Sequence, residues 1–340
     1  MLNPRPAEFV GDRPGESPRF VVIVDTEEEF DWARGFSRSS VSVRAMRSIE
    51  RIQDLFDRVG VTPVYVADYP IVSQPDGYRP LQEIHAAGRC LIGAHLHPWV
   101  NPPFEEVVNA RNSFPGNLPR ALEAAKLAVL DHEIGERFGV KPTIYKAGRY
   151  GVGANTAEIL EAQGYEIDTS VCPHMDYSAE GGPDFTGYDA RPYWFGRRRR
   201  LLELPLTVGF TGALRRWGRA LHRIASQRAL ARLHPVGVLA RLRLVDRIWL
   251  SPEGYVATEH RRLVRAQRND GLPVFTFALH SPSVVPGNTP YVRTQADLAE
   301  FLTRCREFFE FVRDEMGGQP TTPVEIKSLL ASPSEERVSR

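Results

Sequence analysis

The chain has 340 residues, 42% hydrophobic and 25% charged, and its 43 basic against 42 acidic side chains leave a formal net charge of +1. These proportions describe a folded, near-neutral globular protein. No run of about 18 apolar residues occurs and the first residues lack the charged-then-apolar pattern of a signal peptide, which excludes transmembrane and secreted readings and makes the cytoplasm the expected compartment. Cys90, Cys172 and Cys305 are odd in number and widely spaced, so neither a disulfide framework nor a thiolate zinc site is expected, and they read as packing residues.

Residues 1–18 mix Pro, Gly and charge without periodicity and residues 331–340 are polar, so both ends are expected to be flexible around one folded unit over residues 19–330. The run Phe20-Val21-Val22-Ile23-Val24 predicts a first strand. A helix around Val43 to Val59, a strand at residues 62–66, a helix around Leu81 to Ala87 and a strand at Cys90-Leu91-Ile92 follow. The alternation continues with a helix over Leu118 to Phe138, a strand at Thr143-Ile144-Tyr145, and a helix over Asn155 to Gln163 with Asn155 as its N-cap. Pro273 to Leu279 is the last strand; Thr294-x-x-Asp297 then reads as a capping box ahead of Leu298, Phe301, Leu302, Cys305, Phe308, Phe309 and Val312 at helical spacing, a core stripe. This rhythm of βα units predicts a mainly parallel sheet.

Composition shifts between Arg197 and Arg247, where thirteen Arg stand against Glu203 and Asp246 alone, a local charge of +11. Leu214 to Leu244 reads as one or two basic amphipathic helices broken near Pro235 and Gly237, a helical insertion at about 210–247. A solvated packing insertion and a surface for anionic lipid or acidic glycan are both open. Nucleic acid is disfavoured by the sparse aromatics and the lack of a nucleic-acid motif.

Four polar clusters follow strands, and the carboxyl ends of parallel strands are where α/β sites are built. In Asp25-Thr26-Glu27-Glu28-Glu29, period two puts Asp25, Glu27 and Glu29 on one face, a crowding of acids that a cation or an Arg must offset. His95-Leu96-His97 offers two imidazoles pointing the same way, a two-ligand arm for a divalent metal. The stretch Lys146 to Gly153 is glycine-rich but lacks both the Gly-Lys-Ser/Thr ending of a phosphate loop and G-x-G-x-x-G, which argues against nucleotide binding. His280 stands at the end of the last strand, where a general acid or base belongs. No G-x-S-x-G elbow occurs, so serine hydrolysis is a poor second.

Taken in order, VDTEEEFDW, GAHLHPWVNPP, YKAGRYG, LELPLTVGF, WLSPEG and FALHSPS resemble the polysaccharide deacetylase superfamily, metal-dependent carbohydrate esterases, and look closest to its WalW-type branch, found near glycosyltransferases. The resemblance implies a distorted (β/α) barrel of about seven parallel strands. It implies Asp25 as base, Glu27 with His95 and His97 as ligands of a divalent metal, zinc first, and His280 as acid. Two departures stand out: the family's second acid is adjacent to the first and its histidines are four apart, whereas here Trp99 occupies that fourth position, and Glu28 or Glu29 could replace Glu27. Lys146 aligns with the Arg that steadies the family's base, with Arg149 a bidentate alternative. An oxyanion-binding N–H is expected among residues 150–153, and Trp99, Tyr150 and Asp168 beside the substrate, with Asp168 also a possible partner of His280. The implied reaction is deacetylation of an N-acetylated sugar or glycan. Alternatives are hydrolysis of a cyclic ureide or other non-sugar amide, and a glycan-binding barrel that has lost its metal. The basic insertion would suit recruitment to an anionic membrane or a glycosyltransferase.

Overall fold

The computed structural model describes residues 17–30, 35–227, 232 and 234–331. Asp31 and Trp32, most of both expected flexible ends, and part of the basic insertion lie outside the described residues. Eleven strands occur among those described: β1 (Arg19–Thr26), β2 (Val64–Ala67), β3 (Leu91–Leu96), β4 (Ile144–Ala147), β5 (Ile167–Asp168), β6 (Tyr193–Phe195), β7 (Leu201–Glu203), β8 (Val208–Thr211), β9 (Asp246–Trp249), β10 (Val274–His280) and β11 (Gln319–Pro320). Seven of them pair in parallel in the order β10-β1-β2-β3-β4-β5-β7, with β6 antiparallel at the edge. The fold is a mixed α/β half-barrel, and its mainly parallel sheet is the one expected from the βα rhythm.

Alternation along the strands separates two apolar layers. Val21 and Ile23, Val64 and Val66, Ile144, Ile167, Leu202 and Val274 fill the interior, and Ile326 joins them from the helix Pro323–Ala331. Phe20, Val22, Val24, Tyr65, Tyr145 and Phe277 face outward against the helices. Burial on both faces explains why the first strand reads as an unbroken apolar run. The gap beside β10 is bridged where Thr276 N donates to Thr207 Oγ1 at 2.8 Å and Ala278 N to Leu250 O at 3.2 Å. From there β8 and β9 leave as an antiparallel ribbon.

Several elements differ locally from expectation. The helix expected over 43–59 is a 3-10 turn at Arg44–Ser48 followed by the helix Glu50–Val59. A short helix at Tyr69–Ser73 intervenes, and the helix expected around Leu81 to Ala87 begins earlier, at Pro75, because proline suits a first helical position where its missing N–H is no loss. Asn155 makes no side-chain cap; Thr156 Oγ1 instead accepts from Gly153 N at 2.9 Å. The Thr294–Asp297 capping box is present on the helix Gln295–Glu310, and all three cysteines are buried and unpaired. Strands β6 to β9 carry no distinct signal in the sequence, being short and embedded in loops.

Candidate active site

Inward-facing parity carries the interior rows up to the carboxyl ends of the strands. There the apolar series Val21-Ile23 ends in Asp25, Ile144 is followed by Lys146, and β3 and β10 present His95 and His280. Register sets them side by side: Asp25 pairs with His280 on β10, and His95 with Lys146 on β4. The curl of the sheet brings β4 back to β1, so that Lys146 Nζ reaches both Asp25 carboxylate oxygens at 2.6 and 2.7 Å. These groups open into a cavity of about 350 Å³ lined by Phe36, Tyr150, Tyr177, Trp249 and Tyr291.

Glu27, His95 and His97 offer one carboxylate oxygen and two imidazole nitrogens that lie within 4.8 Å of one another, all three residues buried. Glu27 Oε2 is 3.5 Å from His95 Nε2 and 3.4 Å from His97 Nε2. The far side of each ring is occupied: His95 Nδ1 lies 3.0 Å from the Lys146 carbonyl and His97 Nδ1 2.8 Å from Glu28 Oε2. A carbonyl only accepts, so Nδ1 of His95 is the donor there and Nε2 is the nitrogen turned toward Glu27. Glu28 also accepts from Trp99 Nε1 at 2.9 Å, Asp68 accepts from its backbone N–H at 2.9 Å, and Glu28, Asp68 and His97 form a second buried donor set on the far side of the His97 ring. Burial, against the hydrogen bonds of Asp68 and Trp99, pushes the Glu28 carboxyl up to about 7. Trp99 stacks on His97 with ring centroids 4.3 Å apart and so braces the imidazole beside it. A Cβ at Gly148 would lie 2.5 Å from His97 Cδ2, and only glycine lets the chain pass this close.

Asp25 and His280 are held as closely as the donor set. Burial opposes charge on Asp25, yet Lys146, with His95 and His280, holds its carboxyl below the ordinary aspartate value. His280 Nε2 is 3.6 Å from Asp25 Oδ2, while its Nδ1 lies 2.6 Å from Glu253 Oε2. Burial would lower the His280 imidazole, but Glu253, helped by Glu27 and Asp25, raises it to about 10. At 19% side-chain exposure His280 is the most accessible of these groups, whereas Asp25 and Lys146 are 5% and 0% exposed.

Four expectations change. Asp25, Glu27 and Glu29 do not share one face, because β1 ends at Thr26; Glu29 turns away to accept from Ser42 Oγ and Ala45 N, both at 2.6 Å. Arg149 does not steady Asp25: its guanidinium donates to Ser113 Oγ at 2.6 Å and to Glu180, and lies 4.1 Å over the Phe114 ring. It lines the cavity wall, as does Tyr150, which stacks on Tyr177. Three of the four amides at residues 150–153 are spent locally: Gly151 N on Gly148 O, Val152 N on Tyr150 O and Gly153 N on Thr156 Oγ1. Asp168 neither reaches the cavity nor touches His280, since Ile167 takes the inward parity and turns Asp168 outward. The partner of His280 is Glu253, an acid in WLSPEG to which sequence reasoning gave no role.

Asp168 instead sits opposite Glu203 on the paired strands, both fully buried, each with one oxygen lacking another partner. Burial raises both carboxyls, Asp168 to about 6 and Glu203 well above the usual range, with the Asp168 charge adding to the Glu203 shift. A folded pKa above the unfolded one means that the folded chain keeps a proton that the unfolded chain releases, so stability falls as pH rises above about 4.5. Glu203→Gln removes that proton's cost and is expected to raise stability by about 1–3 kcal/mol at neutral pH, the gain vanishing near pH 4. Urea unfolding at both pH values measures it; an equal change at each pH would mean that the pair shares no proton.

No family model matches the chain and no curated protein matches it in sequence. Among solved structures it is similar to one assigned as a polysaccharide deacetylase from Mycobacterium smegmatis, with a TM-score of 0.57 and 15% identity over 96% of this chain and 94% of that one. A polysaccharide deacetylase structure from Pseudomonas aeruginosa PAO1 gives a TM-score of 0.51 and 14% identity over 91% of this chain and 89% of the other. The PuuE allantoinase gives 0.50 and 15% over 93% and 91%. At these identities the likeness is one of fold, and it covers nine-tenths or more of this chain.

Proposed function

We propose that the protein is a metal-dependent hydrolase that removes the acetyl group from an N-acetylated sugar or glycan, releasing acetate and a free amine. The observation that carries this reading is the convergence of the buried Glu27–His95–His97 donor set, the Asp25–Lys146 pair and the His280–Glu253 pair on one aromatic-walled cavity. Two imidazoles and one carboxylate, each imidazole backed by a partner at Nδ1, fit a divalent ion, zinc first. Such an ion would lower the pKa of a coordinated water and polarise an amide carbonyl.

Asp25, kept ionised by Lys146, accepts the proton that water gives up as its oxygen attacks the acetyl carbon. His280, kept protonated by Glu253, delivers a proton from Nε2 to the sugar nitrogen as the C–N bond breaks, since an amine cannot leave as its anion. Tyr150, Tyr177, Trp249 and Tyr291 offer aromatic faces to a pyranose ring. The six ordered phrases support assignment to the WalW-type branch. Unpaired buried cysteines support a cytoplasmic address, and residues 19–330 act as a single barrel with the 210–247 segment as an insertion.

The test is elemental analysis of the purified protein beside a His95→Ala/His97→Ala variant, followed by acetate release from N-acetylhexosamines, with allantoin as the competing substrate. A stoichiometric divalent ion lost in the variant, together with acetate release abolished by chelation, is the expected result. No metal taken up on titration, or turnover of allantoin alone, overturns it.

A further inference from the structure

We propose that the helical excursion between β8 and β9 docks on an anionic phospholipid surface, with Arg216, Arg219 and Arg223 on the headgroup phosphates and Trp217 and Ile224 in the interfacial layer. The excursion holds two short helices, Gly218–Ala225 and Pro235–Arg241. Thirteen large apolar side chains are exposed among the described residues, and six of them, Leu214, Trp217, Ile224, Val236, Val238 and Leu242, fall within residues 214–242, less than a tenth of the chain. Trp217 is 69% exposed. Apolar side chains gathered on one excursion mark a contact surface.

Charge selects what it contacts. Arg216, Arg219 and Arg223 line a cleft of about 590 Å³ together with Arg191 and Arg215. Asp270 ties Arg215 at 3.0 Å and Asp189 ties Arg191 at 2.6 Å. No acidic partner among the described residues meets the other three, and the surrounding segment carries +11. Exposed guanidinium groups interleaved with Trp, Leu and Ile are the chemistry of an interfacial helix, where the arginines pair with phosphate and the tryptophan sits at headgroup depth. No helix among the described residues is long and apolar enough to cross a membrane, so the contact is peripheral. The opposite ends of the ribbon give Val208 and Trp249 to the catalytic cavity, so docking surface and cavity share one element.

Cosedimentation of the full chain with phosphatidylcholine vesicles, with and without phosphatidylglycerol, tests this. Binding is expected only with phosphatidylglycerol, weakening with salt. The Arg216→Gln/Arg219→Gln/Arg223→Gln variant is expected to lose about a hundredfold in vesicle affinity, since each cation near an anionic surface contributes about fivefold. Brominated lipid is expected to quench the wild-type tryptophan fluorescence more than that of Trp217→Phe. Unchanged thermal unfolding of both variants keeps a folding defect from imitating the loss. Equal binding to neutral vesicles, an unaffected triple variant, or capture of free glycerol phosphate or DNA in place of vesicles overturns the proposal.

Discussion

Lys146→Met is expected to lower stability by about 3–5 kcal/mol and to carry the acid limb of the pH–rate profile upward. Both members of the Asp25–Lys146 pair are buried, and the two contacts at 2.6 and 2.7 Å are the carboxylate's compensation for lost water. Removing the cation leaves an uncompensated buried charge, which costs more than the pair itself contributes. Burial, the largest influence on Asp25, acts to raise its pKa and is outweighed now by Lys146 with help from His95 and His280. Without Lys146 the balance tips, Asp25 holds its proton to higher pH, and the base of the proposed reaction, which works only when ionised, fails over a wider acid range. Asp25→Asn alone is expected to lower kcat by about 10²–10⁴-fold at every pH. The double variant Asp25→Asn/Lys146→Met is expected to be more stable than the sum of the single losses predicts, because it leaves neither charge behind. Urea unfolding and pH–rate profiles decide the matter: a uniform fall in rate for Lys146→Met with the acid limb unmoved would remove Asp25 from the role of base.

Much of this site is legible in the sequence through one parity rule. Asp25, His95 and His280 close apolar strand runs, and continuing the inward alternation of Val21-Ile23 or Val274-Thr276-Ala278 delivers each to the cavity. The rule fails where a strand stops. Glu29 lies beyond the end of β1, so its position is set by Ser42 and Ala45 rather than by the pleat. It misleads at Asp168 for a different reason: the strand is two residues long, and nothing in Ile167-Asp168 tells which of the two faces inward. Glu253 is beyond local reasoning altogether. It is brought to His280 by the return of the chain from β9 past Thr207 and β10, a long-range contact with no periodic signature. The choice between Lys146 and Arg149 likewise needed the curl of the sheet, which sets β4 against β1 although two strands separate them. The helical insertion was visible as charge, but its exposed apolar residues became a surface only once burial showed that the core does not take them.

Glu253→Gln is expected to move the alkaline limb of the pH–rate profile down toward neutrality, with little change in rate on the acid side. In the proposed reaction His280 must be protonated to release the amine, and its imidazole is held at about 10 against burial by the Glu253 carboxylate, with smaller support from Glu27 and Asp25. Gln keeps one acceptor oxygen for Nδ1, puts an NH2 donor where Oε1 accepted from Ser283 and the His280 amide, and removes the charge, so burial gains weight and the imidazole gives up its proton at lower pH. The rate at about pH 9 is therefore expected to fall roughly tenfold or more, while at about pH 6 it stays within a few fold of wild type. Stability follows the same sign. A histidine whose folded pKa is raised above about 6.5 contributes stability that is complete below that value and is lost as pH rises through about 10, and Glu253→Gln forfeits this contribution below pH 10. Titration of the His280 imidazole by NMR in the metal-free protein reads the shift directly and separates it from catalysis. If the imidazole titrates unchanged while the rate falls equally at all pH values, Glu253 holds the 280–283 turn through Ser283 and the His280 amide, and the protonation of the leaving amine must be assigned to another group.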